Sequence, residues 1–224
     1  MLYTRQSAQE NVRNRDGKRV FYLGKGDQLT SDARDYLTRQ RIAILPAEQA
    51  KPENYQLLSG GTLSQKPEHM THLNGQVLVP KTHPRIAFRG AIDMLEAQLL
   101  LCQSGGGDQL QDALDLAREL SRCDVLEEPV PEMLLGGLDQ KALRERSHCP
   151  QDFYGQPHFM PSGQDSPILL QINLARTMAR NAEILAVQAF SDREGNPTRP
   201  DILQALNRLS SYLYIRMIEV KAKS

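Results

Sequence analysis

The stretch from Ile168 to Phe190 constrains the fold more than any other part of the sequence, because its apolar residues recur at helical spacing. Steps of four and three separate Ile168, Ile172, Ala175, Ala179, Ala182, Ala186 and Ala189. As a helix, the stretch has one apolar stripe whose side chains are mostly small enough to let a neighbouring helix approach closely. The pattern predicts the central helix of an α-helical core.

A charged stripe lies beside the apolar one. Arg176, Arg180 and Glu183 follow each other at i, i+4 and i+7 and share a helix face. A charged stripe that borders a core stripe lies near the interior, where an unpaired charge is costly. Two guanidinium groups on successive turns suit a polyphosphate, because each offers a planar fork of donors to phosphate oxygens. The residues leave a second interpretation open, in which they form an ion-pair network between helices.

Charge balance and cysteine content limit the classes of protein to consider. Lys and Arg total 27 and Asp and Glu total 27, so the net charge is zero, which argues against general binding of nucleic acid. No apolar run reaches the length of a membrane span, and no cationic, apolar leader is seen. Cys102, Cys123 and Cys149 are far apart, without a CxxC pair. They predict a reduced, cytosolic protein without a cysteine metal site.

The chain of 224 residues is long enough for one sizeable core and an appendage. Residues 1–50 predict a small strand–helix–strand appendage, with strands at Arg19–Leu23 and Ile42–Leu45 and a helix at Leu29–Leu37. Residues 51–65 have little hydrophobic order and predict a linker. Residues 66–224 predict a mainly α fold. This fold is a five-helix bundle with helices near 85–102, 110–122, 168–190 and from 200 onward, and a short helix within 132–146 that is interrupted near Gly136-Gly137.

Two short motifs carry weaker signals. Gly24-Lys-Gly-Asp27 looks like part of a phosphate loop, but it lacks the full spacing and the lysine–hydroxyl ending, and it predicts a plain turn. His69 and His72, at i and i+3, are a conceivable pair of metal ligands, although such a pair more often belongs to a polar loop.

Four ordered motifs give the chain a resemblance to a known enzyme family. They are Lys81-Thr-His-Pro-Arg85 with Phe88-Arg-Gly-Ala-Ile-Asp93, Phe159-Met-Pro-Ser-Gly163, Leu174-Ala-Arg-Thr-Met-Ala-Arg-Asn-Ala-Glu183 and Asn207-Arg-Leu-Ser210. In this order and spacing they resemble the ATP:cob(I)alamin adenosyltransferases of the propanediol-utilisation type. Arg199–Ser211, Leu29–Arg34 and Lys66–Leu73 are most similar to the ethanolamine-utilisation branch of that superfamily. The resemblance covers nearly the whole chain.

The resemblance implies a homotrimer of helical bundles of cobalamin adenosyltransferase type, with ATP and cobalamin bound between neighbouring subunits. In this family, ATP gives its 5′-deoxyadenosyl group to the cobalt of cob(I)alamin, and triphosphate leaves. Mg²⁺ is expected beside the triphosphate. The implied partners are a flavin reductase and a corrinoid-dependent lyase, with the product serving ethanolamine ammonia-lyase or a diol dehydratase. A cytoplasmic location, associated with a bacterial microcompartment, follows from the same resemblance.

The resemblance also implies roles for the charged residues of the motifs. Arg176, Arg180 and Asp93 would form the catalytic group, in which Arg176 pairs with Asp93 across a subunit interface. Arg180 and Lys81 would bind the leaving polyphosphate and stabilise its developing charge.

Other residues would bind the nucleoside and the corrin ring. Glu183 and Asn207 would position the nucleoside of ATP. Thr71 ends the segment that stands in place of the family's Gly-rich phosphate loop, and it is assigned to ATP binding. Phe159 or His158 would lie beneath the corrin, where an apolar group keeps the lower axial ligand off the cobalt.

The sequence also departs from some relatives. Those with a His/Cys metal cluster carry it before the Lys66-Pro67 motif, where this chain has no cysteine, so no tightly bound transition metal is expected. Two other functions stay open from the sequence. One is a non-catalytic ATP- and corrinoid-binding module of a microcompartment. The other is a structural trimeric bundle whose arginines form interface salt bridges.

Overall fold

The structure, a computed structural model, describes residues 1–15, 18–49, 54–106 and 110–223. The chain divides into unit 1, Met1–Lys66, and unit 2, Pro67–Ser224. Within the described ranges, no helix combines the length and the apolar character needed to cross a bilayer.

Unit 1 contains two parallel strands that are joined through a helix. Its strands are β1 (Leu2–Tyr3), β2 (Arg13–Arg15), β3 (Lys18–Leu23), β4 (Gln28–Leu29), β5 (Ala43–Pro46), β6 (Tyr55–Leu57) and β7 (Thr62–Leu63). Its helices are α1 (Arg5–Glu10) and α2 (Ser31–Arg39), and a short 3-10 turn covers Ala47–Gln49. β3 pairs in parallel with β5, and Phe21 and Leu37 are buried in the small core of the unit. The predicted strand–helix–strand order is present as β3, α2 and β5, and unit 1 also contains α1 and further short strands.

The structure differs from the predicted linker over residues 51–65. Residues 51–53 lie outside the described ranges. Strands β6 and β7 form an antiparallel hairpin, and Gly60 in its turn has a φ of 94°, which glycine adopts at little cost. Strands of two and three residues are too short for an alternating pattern to reveal them.

Unit 2 is a helical bundle preceded by a β-hairpin. Its elements are β8 (Met70–Asn74), β9 (Val77–Pro80), α3 (Pro84–Ser104), α4 (Gln111–Leu126), α5 (Gln140–His148), α6 (Pro150–Tyr154), α7 (Pro167–Ala189) and α8 (Pro200–Ala222). The predicted count of five helices is corrected to six in the described part of this unit. The extra helix is α6, a single short turn that begins at Pro150, too short to give a periodic pattern. Proline lacks the N–H that would continue α5, so the chain starts a new helix there.

Helix α7 packs against both α3 and α8. Its buried residues are Leu169, Ile172, Ala175, Ala179, Ala182 and Ala186, which confirms the predicted apolar stripe; Ile168 and Ala189 are partly buried. α3 and α7 run antiparallel. Phe88, early in α3, meets Phe190 after the end of α7 at 5.4 Å between ring centroids, and Gln98, later in α3, donates a hydrogen bond to the Gln171 carbonyl at 3.0 Å.

A buried carboxylate joins α3 to α4. Asp124 is fully buried, and its two oxygens accept hydrogen bonds from Arg85 Nε at 2.8 Å and Arg89 Nε at 2.5 Å. Arg89 Nη2 also donates to the Leu73 carbonyl of β8 at 2.8 Å. The cluster therefore connects two helices and the hairpin. Asp124 was not among the predicted residues, because the sequence does not reveal which acid will meet the arginines of α3.

The fold depends on this cluster in a way that can be measured. Asp124→Asn should lower the free energy of unfolding by about 3–5 kcal/mol, because it leaves two guanidinium groups without their buried counter-charge. Asp115→Asn, at an exposed position of the same helix, is the matched control and should cost less than about 1 kcal/mol. Urea unfolding followed by circular dichroism measures both. Equal losses in the two variants would contradict a structural role for Asp124.

Candidate active site

The line of contact between α7 and α8 brings together most of the predicted site residues. Glu183 of α7 contacts Asn207 of α8, and Arg176 of α7 is close enough to Tyr214 of α8 for the phenol to act on the pKa of the guanidinium. Along this line the residue numbers decrease on α7 from Glu183 to Arg176 and increase on α8 from Asn207 to Tyr214. The two helices therefore run antiparallel. We call this line, with Arg176, Arg180, Glu183, Asn207 and Tyr214, the α7–α8 seam.

The Glu183 end of the seam is a chain of three hydrogen-bonded side chains. Asn207 Nδ2 donates to Glu183 Oε1 at 3.1 Å, and Arg208 Nη1 donates to Asn207 Oδ1 at 2.6 Å. Because a guanidinium only donates and a carboxylate only accepts, these neighbours fix which end of the Asn207 amide faces each of them. The two residues predicted at the nucleoside are therefore in contact. Sequence reasoning missed Arg208, although it directly follows Asn207 in one of the motifs.

Arg176 is half-buried and is held by an uncharged neighbour. Its Nε and Nη2 donate to Asn173 Oδ1 at 3.2 and 2.9 Å. Burial lowers the pKa of Arg176, and the positive charge of Arg180, one turn further on, lowers it as well. Arg180 itself is exposed. The middle of the seam thus carries two like charges on successive turns.

A second pair of arginines with the same spacing has a carboxylate between its members. Arg85 and Arg89 are at i and i+4 on α3, and both bind Asp124. Arg176 and Arg180 make no ion pair with Asp or Glu in the ranges that the structure describes. The intrachain version of the predicted ion-pair network is therefore absent there. The uncompensated pair is suited to an anion that comes from outside the chain.

Aromatic side chains occupy the other end of the seam. The Tyr214 ring stacks on His158 at 5.7 Å and lies 6.3 Å from Phe159, between ring centroids. His158 Nδ1 is 2.9 Å from Tyr214 Oη, and its Nε2 is 3.1 Å from the carbonyl of His148. Because a carbonyl only accepts, Nε2 carries the proton and donates it. Both ring nitrogens of His158 are thus engaged within the chain.

Phe159 and Tyr214 are half-buried, and His158 is exposed. Lys221 Nζ lies 5.8 Å from the centre of the Phe159 ring and forms an ion pair with Asp165 at 2.6 Å. The hydrogen bond from Lys221 lowers the pKa of the Asp165 carboxyl, and one from the Ser162 amide acts in the same direction. The loop before α7 is therefore tied to the last turn of α8 by a ring contact and an ion pair.

Three predicted site residues are not brought to the seam. Thr71 pairs with Val79 in the β8–β9 hairpin, and Lys81 follows that hairpin with an exposed side chain. Asp93 is exposed on α3. No hydrogen bond or ion pair in the described part of the chain links these three side chains to α7 or α8.

His72, one member of the predicted histidine pair, is engaged within the β8–β9 hairpin. The His72 ring nitrogen Nδ1 is 3.0 Å from the Gly75 carbonyl, which closes the turn between β8 and β9. Across the residues that the structure describes, no group of three or more His, Cys, Asp or Glu side chains is placed to hold a metal ion.

Comparison with known proteins identifies relatives of the chain. Residues 62–220 match a family model described as cobalamin adenosyltransferase. The corrinoid adenosyltransferase EutT of Salmonella typhimurium is 33% identical over 221 residues, which cover 97% of this chain and 82% of that protein. The corrinoid adenosyltransferase EutT of Escherichia coli is 36% identical over 160 residues, which cover 70% of this chain and 60% of that protein.

Two solved structures share the fold. Both are variants of a PduO-type ATP:corrinoid adenosyltransferase from Lactobacillus reuteri complexed with cobalamin and ATP, and each superposes with a TM-score of 0.53. They are 21% and 18% identical, and the matches cover 70% of this chain and 88% and 91% of theirs.

The two arginine pairs should respond differently to truncation. Arg180→Ala should leave the free energy of unfolding of the ligand-free protein within about 0.5 kcal/mol of the unmodified value, because no carboxylate loses a partner. Arg89→Ala should cost about 3 kcal/mol or more, because Asp124 stays buried with less compensation. Urea unfolding in the absence of ATP makes the comparison. A loss in Arg180→Ala as large as that in Arg89→Ala would mean that Arg180 has a structural partner.

Proposed function

The chain belongs to the cobalamin adenosyltransferase family, and we propose that the α7–α8 seam is the site at which it binds ATP. Its activity is that of a corrinoid adenosyltransferase, which transfers the 5′-deoxyadenosyl group of ATP to cob(I)alamin. The cobalt supplies an electron pair to C5′ of the ribose and forms the cobalt–carbon bond. The C5′–O bond breaks, and its electron pair leaves with triphosphate. The second product is adenosylcobalamin.

The observation that carries the site proposal is the uncompensated pair Arg176 and Arg180. Charge develops on the triphosphate as the C5′–O bond breaks, and donors fixed in advance at that position stabilise it more than they stabilise bound ATP. Arg180 is exposed, so its donors are accessible to the triphosphate. In this proposal, Lys81 of a neighbouring copy is a further cation at the triphosphate. Thr71, in strand β8, is assigned to ATP binding because its segment replaces the family's Gly-rich loop.

Glu183 and Asn207 position the nucleoside in this proposal. Their hydrogen bond fixes one amide N–H and one carboxylate oxygen, and Arg208 fixes the amide oxygen. The second carboxylate oxygen of Glu183 and the second amide hydrogen of Asn207 remain to accept from and donate to the ligand.

Phe159 is the residue that we place beneath the corrin. His158 has both ring nitrogens engaged, with Tyr214 and with the carbonyl of His148, and it has none to offer to cobalt. Phe159 presents a half-buried apolar ring beside them. An apolar ring under the cobalt keeps the lower axial ligand away, which makes reduction to cob(I)alamin easier.

Mg²⁺ fits the donor set of the seam only in part. Magnesium in nucleotide sites usually binds through phosphate oxygens, water and one or two carboxylates, without a cage of protein ligands. Glu183 is the carboxylate of the seam, and its free oxygen is assigned to the nucleoside above, so phosphate oxygens and water would hold the ion. The chemistry that the ion supplies is neutralisation of triphosphate charge, and the arginines of the seam bind the same group.

A homotrimer with ATP between neighbouring subunits is the assembly that we propose. Lys81 and Asp93 do not reach the seam of their own chain, and a neighbouring copy can bring them to it. In support, apolar side chains are exposed on α3 and α7, namely Met94, Leu100, Leu101, Leu174, Ile184 and Val187. A flavin reductase and a corrinoid-dependent lyase are the proposed partners in the cell.

The activity tests the arginines directly. Arg180→Ala and Arg176→Ala should each slow adenosylation by about a hundredfold or more. The first removes charge-assisted donors to the triphosphate, and the second removes the pair with Asp93 of the partner subunit that completes the site. The assay is anaerobic, with ATP, magnesium and chemically reduced cobalamin, and it follows the corrinoid spectrum and the release of triphosphate. Arg193→Ala, in the exposed turn after α7, is the control and should keep full activity. Near-normal turnover of Arg180→Ala at saturating ATP would refute the triphosphate site.

The proposed pair of Asp93 with Arg176 of the partner subunit predicts compensation between charge reversals. Asp93→Arg and Arg176→Asp should each weaken trimer assembly or ATP binding, because each places two like charges opposite each other. The double variant should recover part of the loss, since it restores opposite charges. Sedimentation and ATP titration measure the cycle. Strictly additive losses would reject direct pairing.

A further inference from the structure

Arg176 differs from the ion-paired arginines of the described chain in the group that holds it. Carboxylates hold Arg85, Arg89, Arg118, Arg122, Arg199 and Arg216. Arg176 is held by the amide oxygen of Asn173, three residues earlier on α7, which accepts from Nε at 3.2 Å and from Nη2 at 2.9 Å.

This geometry orders one edge of the guanidinium and leaves the other edge open. Asn173 engages the side edge, Nε and Nη2, so that Nη1 and the second hydrogen of Nη2 form an end-on fork for another acceptor. A half-buried arginine side chain without a partner would sample several rotamers, and ordering it on binding would reduce affinity. The two contacts with Asn173 remove that freedom beforehand.

The choice of an amide over a carboxylate has an electrostatic consequence. An aspartate at this position would accept the same two hydrogen bonds and would also neutralise the guanidinium. An asparagine supplies the contacts and leaves the full positive charge, in a half-buried position where a charge interacts more strongly than it does in water.

We propose that Asn173 is a positioning residue, which holds the Arg176 guanidinium in place without neutralising it and so reserves its open edge for an anion from outside the chain. The inference rests on the proposed function in one respect, that this anion is Asp93 of the partner subunit. Asn173 touches neither substrate in this proposal and acts through Arg176.

Two substitutions at Asn173 distinguish its two proposed effects, which are to order the Arg176 guanidinium and to leave its positive charge uncompensated. Asn173→Ala removes the acceptor, so that Arg176 loses its order, and kcat/KM for ATP should fall about tenfold. Asn173→Asp keeps the acceptor but forms an ion pair within the chain, which competes with Asp93 of the partner subunit. Its kcat/KM should fall about tenfold or more while its free energy of unfolding stays equal to or above that of the unmodified protein. Gln188→Glu adds the same charge at an exposed position of α7 and should keep full activity.

A second readout needs no turnover. In protein with isotope-labelled arginine, the Nε–Hε signal of Arg176, assigned by its loss in Arg176→Lys, should show an ordered group. That order should persist in Asn173→Asp and disappear in Asn173→Ala.

The outcomes separate the inference from the proposed function. Full kcat/KM in either Asn173 variant, or parallel loss of stability and activity in Asn173→Asp, would overturn the inference, as would an Arg176 signal that is unaffected by Asn173→Ala. An unmodified protein that shows the Asn173-dependent order but does not adenosylate cobalamin would refute the proposed function and leave the positioning role intact.

Discussion

The close approach of α3 and α8 to α7 is the constraint on which the rest of unit 2 depends. Alanines at positions 175, 179, 182 and 186 are fully buried, and larger side chains there would push the neighbouring helices away. The close packing sets the width of the α7–α8 seam. The short distance between the helices allows the short side chain of Asn207 on α8 to reach Glu183 on α7. The apolar stripe therefore determines the geometry of the polar stripe beside it.

Within this frame, the two arginine pairs show how the same residue type at the same spacing serves opposite purposes. Arg85 and Arg89 share Asp124, so this carboxylate partly compensates their charges and joins α3 to α4. In the ranges that the structure describes, Arg176 is held by an amide oxygen, and neither Arg176 nor Arg180 forms an ion pair with a carboxylate. A site for a polyanion needs positive charge that the fold has not already compensated. The site is therefore indicated by two features together, the arginine pair and the lack of a carboxylate bound to it in the described ranges.

Periodicity predicted the parts of the structure in which many turns repeat one pattern. The stripe of α7 and the helix that begins at Pro200 came from such repeats, and the spacing of Arg176, Arg180 and Glu183 placed them on one face. Short elements such as β6 and α6 contain too few residues for any period to be visible. Contacts between residues far apart in the chain could not be predicted from the sequence either, because nothing in the residues around Asp124 shows that it will be buried against α3. Asn173 escaped notice for another reason, since its role depends on a side-chain rotamer.

The contacts of His158 hold the loop before α7 against α8. To leave α8, the loop must give up the hydrogen bond and ring stacking of His158 with Tyr214 and the contacts of Lys221 with Asp165 and Phe159. The hydrogen bond of His158 to the His148 carbonyl at the end of α5 must also break. The interactions of His158 alone are worth on the order of 3 kcal/mol, and the Lys221 contacts add to them, so release of the loop is confined to a minor population. Opening of this kind is local and leaves the bundle folded. A large planar ligand can therefore enter beside Phe159 through a minor population, without any cost to the stability of the core.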